Sequence, residues 1–153
     1  MLRVQDVMSN SVQTIGPESP AEAAWERMRT RGIHHLVVTK DSRILGLLSD
    51  RDVGGARGVT LRKGRSVADL MTAAPLTVKP DTPVRKAANL MRGRSIGSLI
   101  VTDAKGRLTG IVTVADLLEL LGRGISRPVV ASTRWTLHHR SPHRKTHGSA
   151  PRW

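Results

Sequence analysis

The heptapeptide GLLSDRD at residues 46–52 recurs in the chain as GIVTVAD at residues 110–116. Both stretches follow one pattern: a glycine, two apolar residues, a serine or threonine, two variable residues and an aspartate. The apolar residues are typical of a strand. The Ser/Thr-x-x-Asp that follows is typical of a capping box, in which side chains and backbone bond reciprocally at the start of a helix. The pattern therefore predicts two copies of a strand that runs directly into a helix.

The repeat extends well beyond the heptapeptide. Residues 4–52 align with residues 67–116, with one residue inserted near Ala104–Gly106, and 17 of the 49 positions are identical. About three identities would be expected by chance from average composition. The identical pairs include Val4/Val67, Asp6/Asp69, Met8/Met71, Thr14/Thr77, Met28/Met91, Gly46/Gly110 and Asp52/Asp116. Two copies are fewer than a solenoid needs, so we expect two half-domains related by a pseudo-twofold, with any ligand site occurring twice at their junction.

Each copy predicts the order strand, helix, strand, strand, helix, which indicates an α/β (α+β) fold with small mixed sheets. In copy one the strands are predicted at 11–15, 35–39 and 44–48. Ser19 is the expected N-cap of the first helix, which ends at Gly32, and Ser49 is expected to cap a second helix that ends near Gly54. We divide the chain into repeat one (1–58), a linker (59–66), repeat two (67–124) and a basic tail (125–153).

Composition limits the classes of function. Cysteine is absent, which excludes disulfides, thiolate catalysis and cysteine-based zinc sites. Phe and Tyr are absent too, so the core must be aliphatic. No apolar run approaches the length of a membrane span and no signal peptide is evident, so we expect a soluble cytoplasmic protein. We find no nucleophile–base set and no Gly-rich phosphate loop with lysine, and therefore expect no enzymatic activity, no metal and no required cofactor.

The net charge of +13 is concentrated at the C-terminal end. Residues 123–153 carry seven Lys and Arg and no acidic residue, with two tryptophans among them. Such a segment attracts polyanions with little specificity. It leaves open an alternative function, in which a dimeric scaffold binds nucleic acid or another polyanion weakly through its tail.

The two heptapeptides, the order of elements and the spacing of the copies resemble a tandem of CBS domains, the regulatory modules named after cystathionine β-synthase. The resemblance covers residues 1–122 and contains no attached enzyme, channel or transporter. It implies a stand-alone pair that binds an adenosine nucleotide, such as AMP, ADP or ATP, in the cleft between the repeats. It also implies a homodimer, for which Trp25, Met28 and Met91 are candidate interface residues, although core packing explains them equally well.

The family's binding residues can be carried over by position. The motif's aspartate, which holds the ribose hydroxyls, corresponds to Asp52 and Asp116, and its Ser/Thr, which contacts phosphate, to Ser49 and Thr113. The backbone of the first strand, near adenine, corresponds to the segments ending at Thr14 and Thr77. Copy one adds charged candidates for phosphate, which are His34, His35 and Arg51.

A purely structural interpretation competes with this one. Four Ser/Thr-x-x-Asp/Glu boxes occur in the chain, at Ser19, Ser49, Ser66 and Thr113, and two of them have no implied ligand role. His34 and His35 can equally be one exposed and one half-buried histidine at a helix-to-strand junction. We therefore expect a regulatory sensor that signals occupancy to an unknown partner. The resemblance leaves AMP, ADP and ATP open as the nucleotide, and either cleft as its site.

Overall fold

The computed structural model describes residues 1–123, and the predictions for the basic tail lie outside these residues. The helices and strands are α1 (Val4–Val7), β1 (Thr14–Ile15), α2 (Ala21–Arg31), β2 (His35–Lys40), β3 (Arg43–Ser49), a 3₁₀ turn (Gly55–Arg57), α3 (Val59–Arg62), α4 (Val67–Leu70), β4 (Thr72–Ala73), β5 (Thr77–Val78), α5 (Val84–Arg94), β6 (Ser98–Thr102), β7 (Leu108–Thr113) and α6 (Val114–Arg123). The predicted α/β architecture of two repeats is confirmed.

The strands form two small sheets, one for each repeat. The first sheet has the order β1-β2-β3-β4 and the second has the order β5-β6-β7. In both sheets the short first strand runs parallel to the second, and the second and third form an antiparallel hairpin. Each hairpin has one register irregularity at equivalent positions, so the repeat in the sequence is also a repeat in the backbone.

The two repeats exchange their first segments. Strand β4, which belongs to repeat two, pairs with β3 of repeat one. Reciprocally, Ser9 of repeat one forms a bridge with Ile111 of β7, with N···O distances of 2.9 and 3.1 Å. The short helix that precedes each of these segments also packs on the other repeat: Val4 and Val7 of α1 lie in the core of repeat two, and Val67 of α4 lies in the core of repeat one. Neither hydrophobic core is therefore complete without the other repeat.

Two glycines permit this exchange. A Cβ added at Gly46 would lie 2.5 Å from Met71 Sδ and 2.8 Å from Thr72 O. At Gly110 it would lie 2.8 Å from Met8 Sδ and 2.7 Å from a backbone oxygen. The glycine and methionine pairs that repeat in the sequence are thus partners in space, each glycine of one repeat facing the methionine of the other.

Both cores are aliphatic, as the composition predicts. Met28 and Met91, considered above as dimer-interface candidates, are 1% and 3% exposed and pack in the cores of their own repeats. Core packing is therefore the correct explanation for both methionines. Trp25 is half-buried beside the first core, with the guanidinium carbon of Arg62 4.9 Å from the centre of its ring.

The predicted capping box at Ser19 does not form. Helix α2 begins at Ala21, its N-cap is Pro20, and no side chain caps it. Backbone hydrogen bonds hold the start of α2 instead. The Ala21 amide donates to the carbonyl of the linker residue Arg65 at 2.8 Å, and the Ser19 carbonyl accepts from the amide of Val67. The C-terminal prediction is confirmed, since Gly32 ends α2 in the left-handed conformation (φ 64°).

The helix predicted after Ser49 is also replaced. Residues 50–54 form successive turns, and the 3₁₀ turn follows. Gly54 and Gly55 both have positive φ, which ends regular helix at that point. In repeat two no glycine interrupts the chain, and α6 continues for ten residues. None of the helices within residues 1–123 has the length and apolar character needed to cross a membrane.

Candidate functional site

The two predicted boxes form at equivalent places, immediately after β3 and β7. In repeat one, the amide of Ser49 donates to Asp52 Oδ2 at 2.9 Å, and the amide of Asp52 donates to Ser49 Oγ at 3.1 Å. In repeat two, the corresponding distances between Thr113 and Asp116 are 2.8 and 3.2 Å. A third box, Ser66/Asp69, has the same geometry at the start of α4. Capping alone therefore accounts for the four-residue pattern, and the position after the hairpin strand is what distinguishes the first two boxes.

The two aspartates differ in burial. Asp116 is 5% exposed, whereas Asp52 is half-buried. In both residues Oδ2 is the oxygen that accepts the capping hydrogen bond. Asp52 Oδ1 accepts no hydrogen bond from residues 1–123, so this carboxylate can hold the turn and still accept from a ligand hydroxyl.

The adjacent histidines have different surroundings. The His34 side chain contacts Asp50, with Nδ1 2.7 Å from Asp50 Oδ2, and the His34 carbonyl accepts from the Asp50 amide at 3.0 Å. His35 lies on β2 directly opposite Ser49 of β3. Side chains opposite each other in an antiparallel pair share one face of the sheet, so the His35 ring and the Ser49 hydroxyl belong to the same side of the hairpin.

Burial lowers the pKa of His35 below its ordinary value, because the charged imidazolium loses its hydration. The nearby His34 adds to this lowering, while Asp50 and Asp52 partly oppose it. At neutral pH the His35 ring is therefore neutral and can offer one N–H donor, but no charge, to a phosphate oxygen.

The lowered pKa of His35 predicts a pH dependence of stability. As the pH falls through about 6.5, the ordinary histidine pKa, the unfolded chain takes up a proton that the folded chain does not, so the free energy of unfolding should decrease until the pH reaches the lowered pKa of folded His35. Urea unfolding at several pH values measures this decrease. His35→Gln should reduce the decrease. The matched His34→Gln should retain most of it, because burial, the main cause of the lowered His35 pKa, is unchanged. Equal pH dependence in wild type and His35→Gln would show that another group is responsible.

The remaining predicted residues lie around the first box and at the sheet edges. Arg51 is exposed, and its guanidinium makes no hydrogen bond or ion pair with residues 1–123. Thr14 and Thr77 are exposed on β1 and β5, the strands at the far side of each hairpin from the box. Two strand spacings, about 10 Å, separate β1 from β3. No hydrogen bond within residues 1–123 joins either threonine to a box.

The two repeats offer different chemistry beside their boxes. Repeat one has Arg51 and His35. Repeat two has Ala115 and the buried Ser98, which lies on β6 opposite Thr113 of β7. A cation and a ring N–H suit phosphate, and small uncharged side chains suit a neutral group. The two boxes are thus alike in their hydrogen bonds and unlike in the charge that the neighbouring residues present to a ligand.

Sequence analysis missed one residue near the first box, the linker residue Arg62. Its side chain is 1% exposed and bonds to Glu22 and to two backbone carbonyls that follow Asp52. Arginine is rarely so buried, and backbone acceptors carry no sequence signature, so nothing in the Gly/Arg-rich linker indicated this contact. An open groove of ≈ 670 Å³ also lies along the linker; its lining includes Arg62 but none of the predicted nucleotide-binding residues.

Comparison with known proteins identifies relatives across most of the chain. The sequence profile of the CBS domain matches residues 4–56 and 67–123. A CBS domain-containing protein of Dictyostelium discoideum is 37% identical over 130 residues, which cover 77% of this chain and 90% of that protein. The inosine-5′-monophosphate dehydrogenase of Thermoplasma acidophilum is 31% identical over 116 residues. These residues cover 76% of this chain but 23% of that enzyme, so the chain spans about a quarter of the enzyme's length.

Solved structures show the same fold. The crystal structure of CBSX2 in complex with AMP has a TM-score of 0.71 and 29% identity, covering 83% of this chain and all of that one. The CBS domain pair of protein MJ0100, in complex with 5′-methylthioadenosine and S-adenosyl-L-methionine, has a TM-score of 0.71 and 25% identity over 79% of this chain. With two profile matches that together span most of residues 4–123, the chain belongs to the CBS domain family and carries two CBS domains in tandem.

Proposed function

We propose that the chain is a regulatory module that binds an adenosine nucleotide between its two CBS domains and signals occupancy to a partner. The observation that carries this proposal is the pair of Ser/Thr-x-x-Asp boxes, Ser49/Asp52 and Thr113/Asp116, built at equivalent positions after β3 and β7. The AMP complex of CBSX2, a relative of the same fold, supports the choice of ligand.

The chemistry of the boxes suits a ribose and a phosphate. Each aspartate already fixes the turn through Oδ2, and Asp52 Oδ1 can accept from the hydroxyls of a cis-diol. The amides of Asp50 and Val114 donate to the carbonyls of His34 and Gly97. In this assignment phosphate is therefore contacted by the Ser49 or Thr113 hydroxyl and, in repeat one, by Arg51. In this assignment the backbone near Thr14 or Thr77 contacts adenine.

The difference between the repeats suggests unequal use of the two half-sites. Arg51 and the neutral His35 ring favour phosphate beside the first box. Ala115 and Ser98 favour a nucleoside with less charge beside the second. AMP, ADP and ATP are thus the first ligands to test, with S-adenosyl-L-methionine as the positively charged alternative that the MJ0100 complex suggests.

The proposal includes a regulatory role without catalysis, a homodimer and a cytoplasmic site of action. Occupancy would act by population shift, since a nucleotide that contacts both repeats stabilises the arrangement that it binds best. The exchanged segments α1 and α4 make such coupling physically reasonable, because each core contains residues of the other repeat.

The proposal is tested by measuring the melting temperature of the full-length chain with AMP, ADP, ATP and S-adenosyl-L-methionine in turn. A ligand at about 100 times its Kd adds about 2.7 kcal/mol of stability, which raises the melting temperature by several degrees in a domain of this size. GTP at the same concentration serves as the control for general effects of a nucleoside triphosphate. Equal melting temperatures with and without all four adenosine ligands would contradict the proposal.

A further inference from the structure

The chain that follows the first box has no helix to hold it. After Ser49 the turns are closed by the Asp52 amide to the Ser49 carbonyl, by the Gly54 amide to the Arg51 carbonyl and by the Gly55 amide to the Asp50 carbonyl. The positive φ of Gly54 and Gly55 then turns the chain away from helical geometry. Carbonyls at such an interrupted end lack the partners that a continuing helix would provide, and buried carbonyls need other donors.

Arg62 supplies those donors from the linker. Its Nη1 lies 2.8 Å from the carbonyl oxygen of Val53 and 2.6 Å from that of Gly55. Its Nε lies 2.6 Å from Glu22 Oε1 on α2, and the guanidinium lies over the ring of Trp25. One buried side chain therefore connects the turns of the first box to helix α2.

The backbone is shaped to admit this contact. A Cβ on Gly58 would lie 2.2 Å from the Val53 carbonyl oxygen and 2.8 Å from Arg62 Nη1, so only glycine allows the linker to approach the turns this closely. Helix α3 then directs Arg62 back towards them. Repeat two is built differently, because α6 continues directly from its box and its own backbone satisfies the carbonyls.

We propose that Arg62 is the positioning residue of the first nucleotide half-site. It holds residues 49–55 in the conformation that presents Ser49, Arg51 and Asp52 to the ligand, and it makes that half-site dependent on the linker between the repeats. The second half-site has no such dependence. The proposal rests on the proposed function, since it assigns Arg62 to the same nucleotide site.

The test compares Arg62→Met and Arg62→Lys with wild type and with the control Lys63→Met, which removes an exposed neighbouring charge of the linker. Amide hydrogen exchange of the ligand-free chain is measured first. In both Arg62 variants, exchange in residues 50–55 should become about tenfold faster, the equivalent of one lost buried hydrogen bond, while residues 114–120 keep the wild-type rate. Arg62→Lys keeps the charge over Trp25 but cannot reach both carbonyls, so it separates positioning from loss of charge.

AMP titrations followed by the backbone amide signals of residues 49–52 and 113–116 give the second readout. The Arg62 variants should weaken AMP about tenfold at the first set of signals and leave the second unchanged. Equal acceleration of exchange in both repeats, or unchanged exchange in residues 50–55, would overturn the positioning role. If wild type binds no AMP, the nucleotide assignment fails together with the half-site role. The exchange data then still report whether Arg62 holds the turns.

Discussion

Gly46→Ala is expected to lower the free energy of unfolding by about 2 to 3 kcal/mol, the cost of overpacking a site that cannot relax. The added methyl would lie 2.5 Å from Met71 Sδ and 2.8 Å from Thr72 O. The methionine side chain can move aside, but the carbonyl belongs to the short strand β4, which pairs with β3 at Gly46 itself. The substitution therefore forces apart the strand that repeat two contributes to repeat one.

Urea unfolding of the full chain measures this effect. Gly110→Ala, at the equivalent position, should cost a similar amount, because its Cβ would lie 2.7 Å from the carbonyl oxygen of Ser9. Gly97→Ala is the matched control, since nothing lies within 4 Å of its added Cβ and its φ is not positive. We expect that variant to stay within about 0.5 kcal/mol of wild type. An unchanged free energy of unfolding in Gly46→Ala would contradict the close packing of β4 against Gly46 of β3.

Asp52→Ala and Asp116→Ala are each expected to weaken adenosine-nucleotide binding by about 10- to 100-fold. Hydrogen bonds to a charged group are worth about 1.5 to 3 kcal/mol, and each carboxylate is assigned to the ribose hydroxyls. Each change also removes a capping interaction, at a cost of about 1 kcal/mol in stability. Affinity is therefore measured by calorimetry at 25 °C, where a folded population can be verified for each variant.

The chain contains its own control for this experiment. Asp69 caps α4 with the same geometry, its Oδ2 lying 2.8 Å from the amide of Ser66, but it has no assigned ligand role. Asp69→Ala should lose similar stability and keep the wild-type affinity for AMP. If Asp69→Ala weakens AMP as much as Asp52→Ala does, the boxes contribute only through folding and the ribose assignment is wrong.

The local features of the fold could be predicted because their causes are local. Two β-rich runs joined by a polar turn gave both hairpins, Gly32 gave the end of α2, and Ser-x-x-Asp gave the cap at Ser49. Even the aliphatic nature of the core followed from the absence of Phe and Tyr. These predictions needed only the spacing of apolar residues and the conformations that glycine and serine favour.

The long-range features could not be predicted from the same patterns. Nothing near Val4 indicates that α1 packs in the core of the other repeat, because a four-residue apolar segment can pack on either core. The missing helix after Ser49 depends on two consecutive left-handed glycines, which also fit an ordinary helix end. Arg62 was not singled out from the linker, because two of its partners are main-chain carbonyls, which look the same at every position in a sequence.

For the candidate site, the sequence predicted the boxes but not their surroundings. It placed Ser49 beside Asp52 and Thr113 beside Asp116, as the hydrogen bonds confirm. It did not predict that His34 turns towards Asp50, since either adjacent histidine could have occupied that position. The ligand roles of all these residues are still predictions.

The most direct measurement is the amide ¹H–¹⁵N spectrum of the full-length chain during a titration with AMP. Binding between the CBS domains predicts saturable shifts at Ser49–Asp52, at Thr113–Asp116, or at both, accompanied by the strand residue Thr14 or Thr77. A spectrum that does not change, or shifts confined to the linker groove around residues 59–66, would contradict the assignment of the nucleotide to the two boxes.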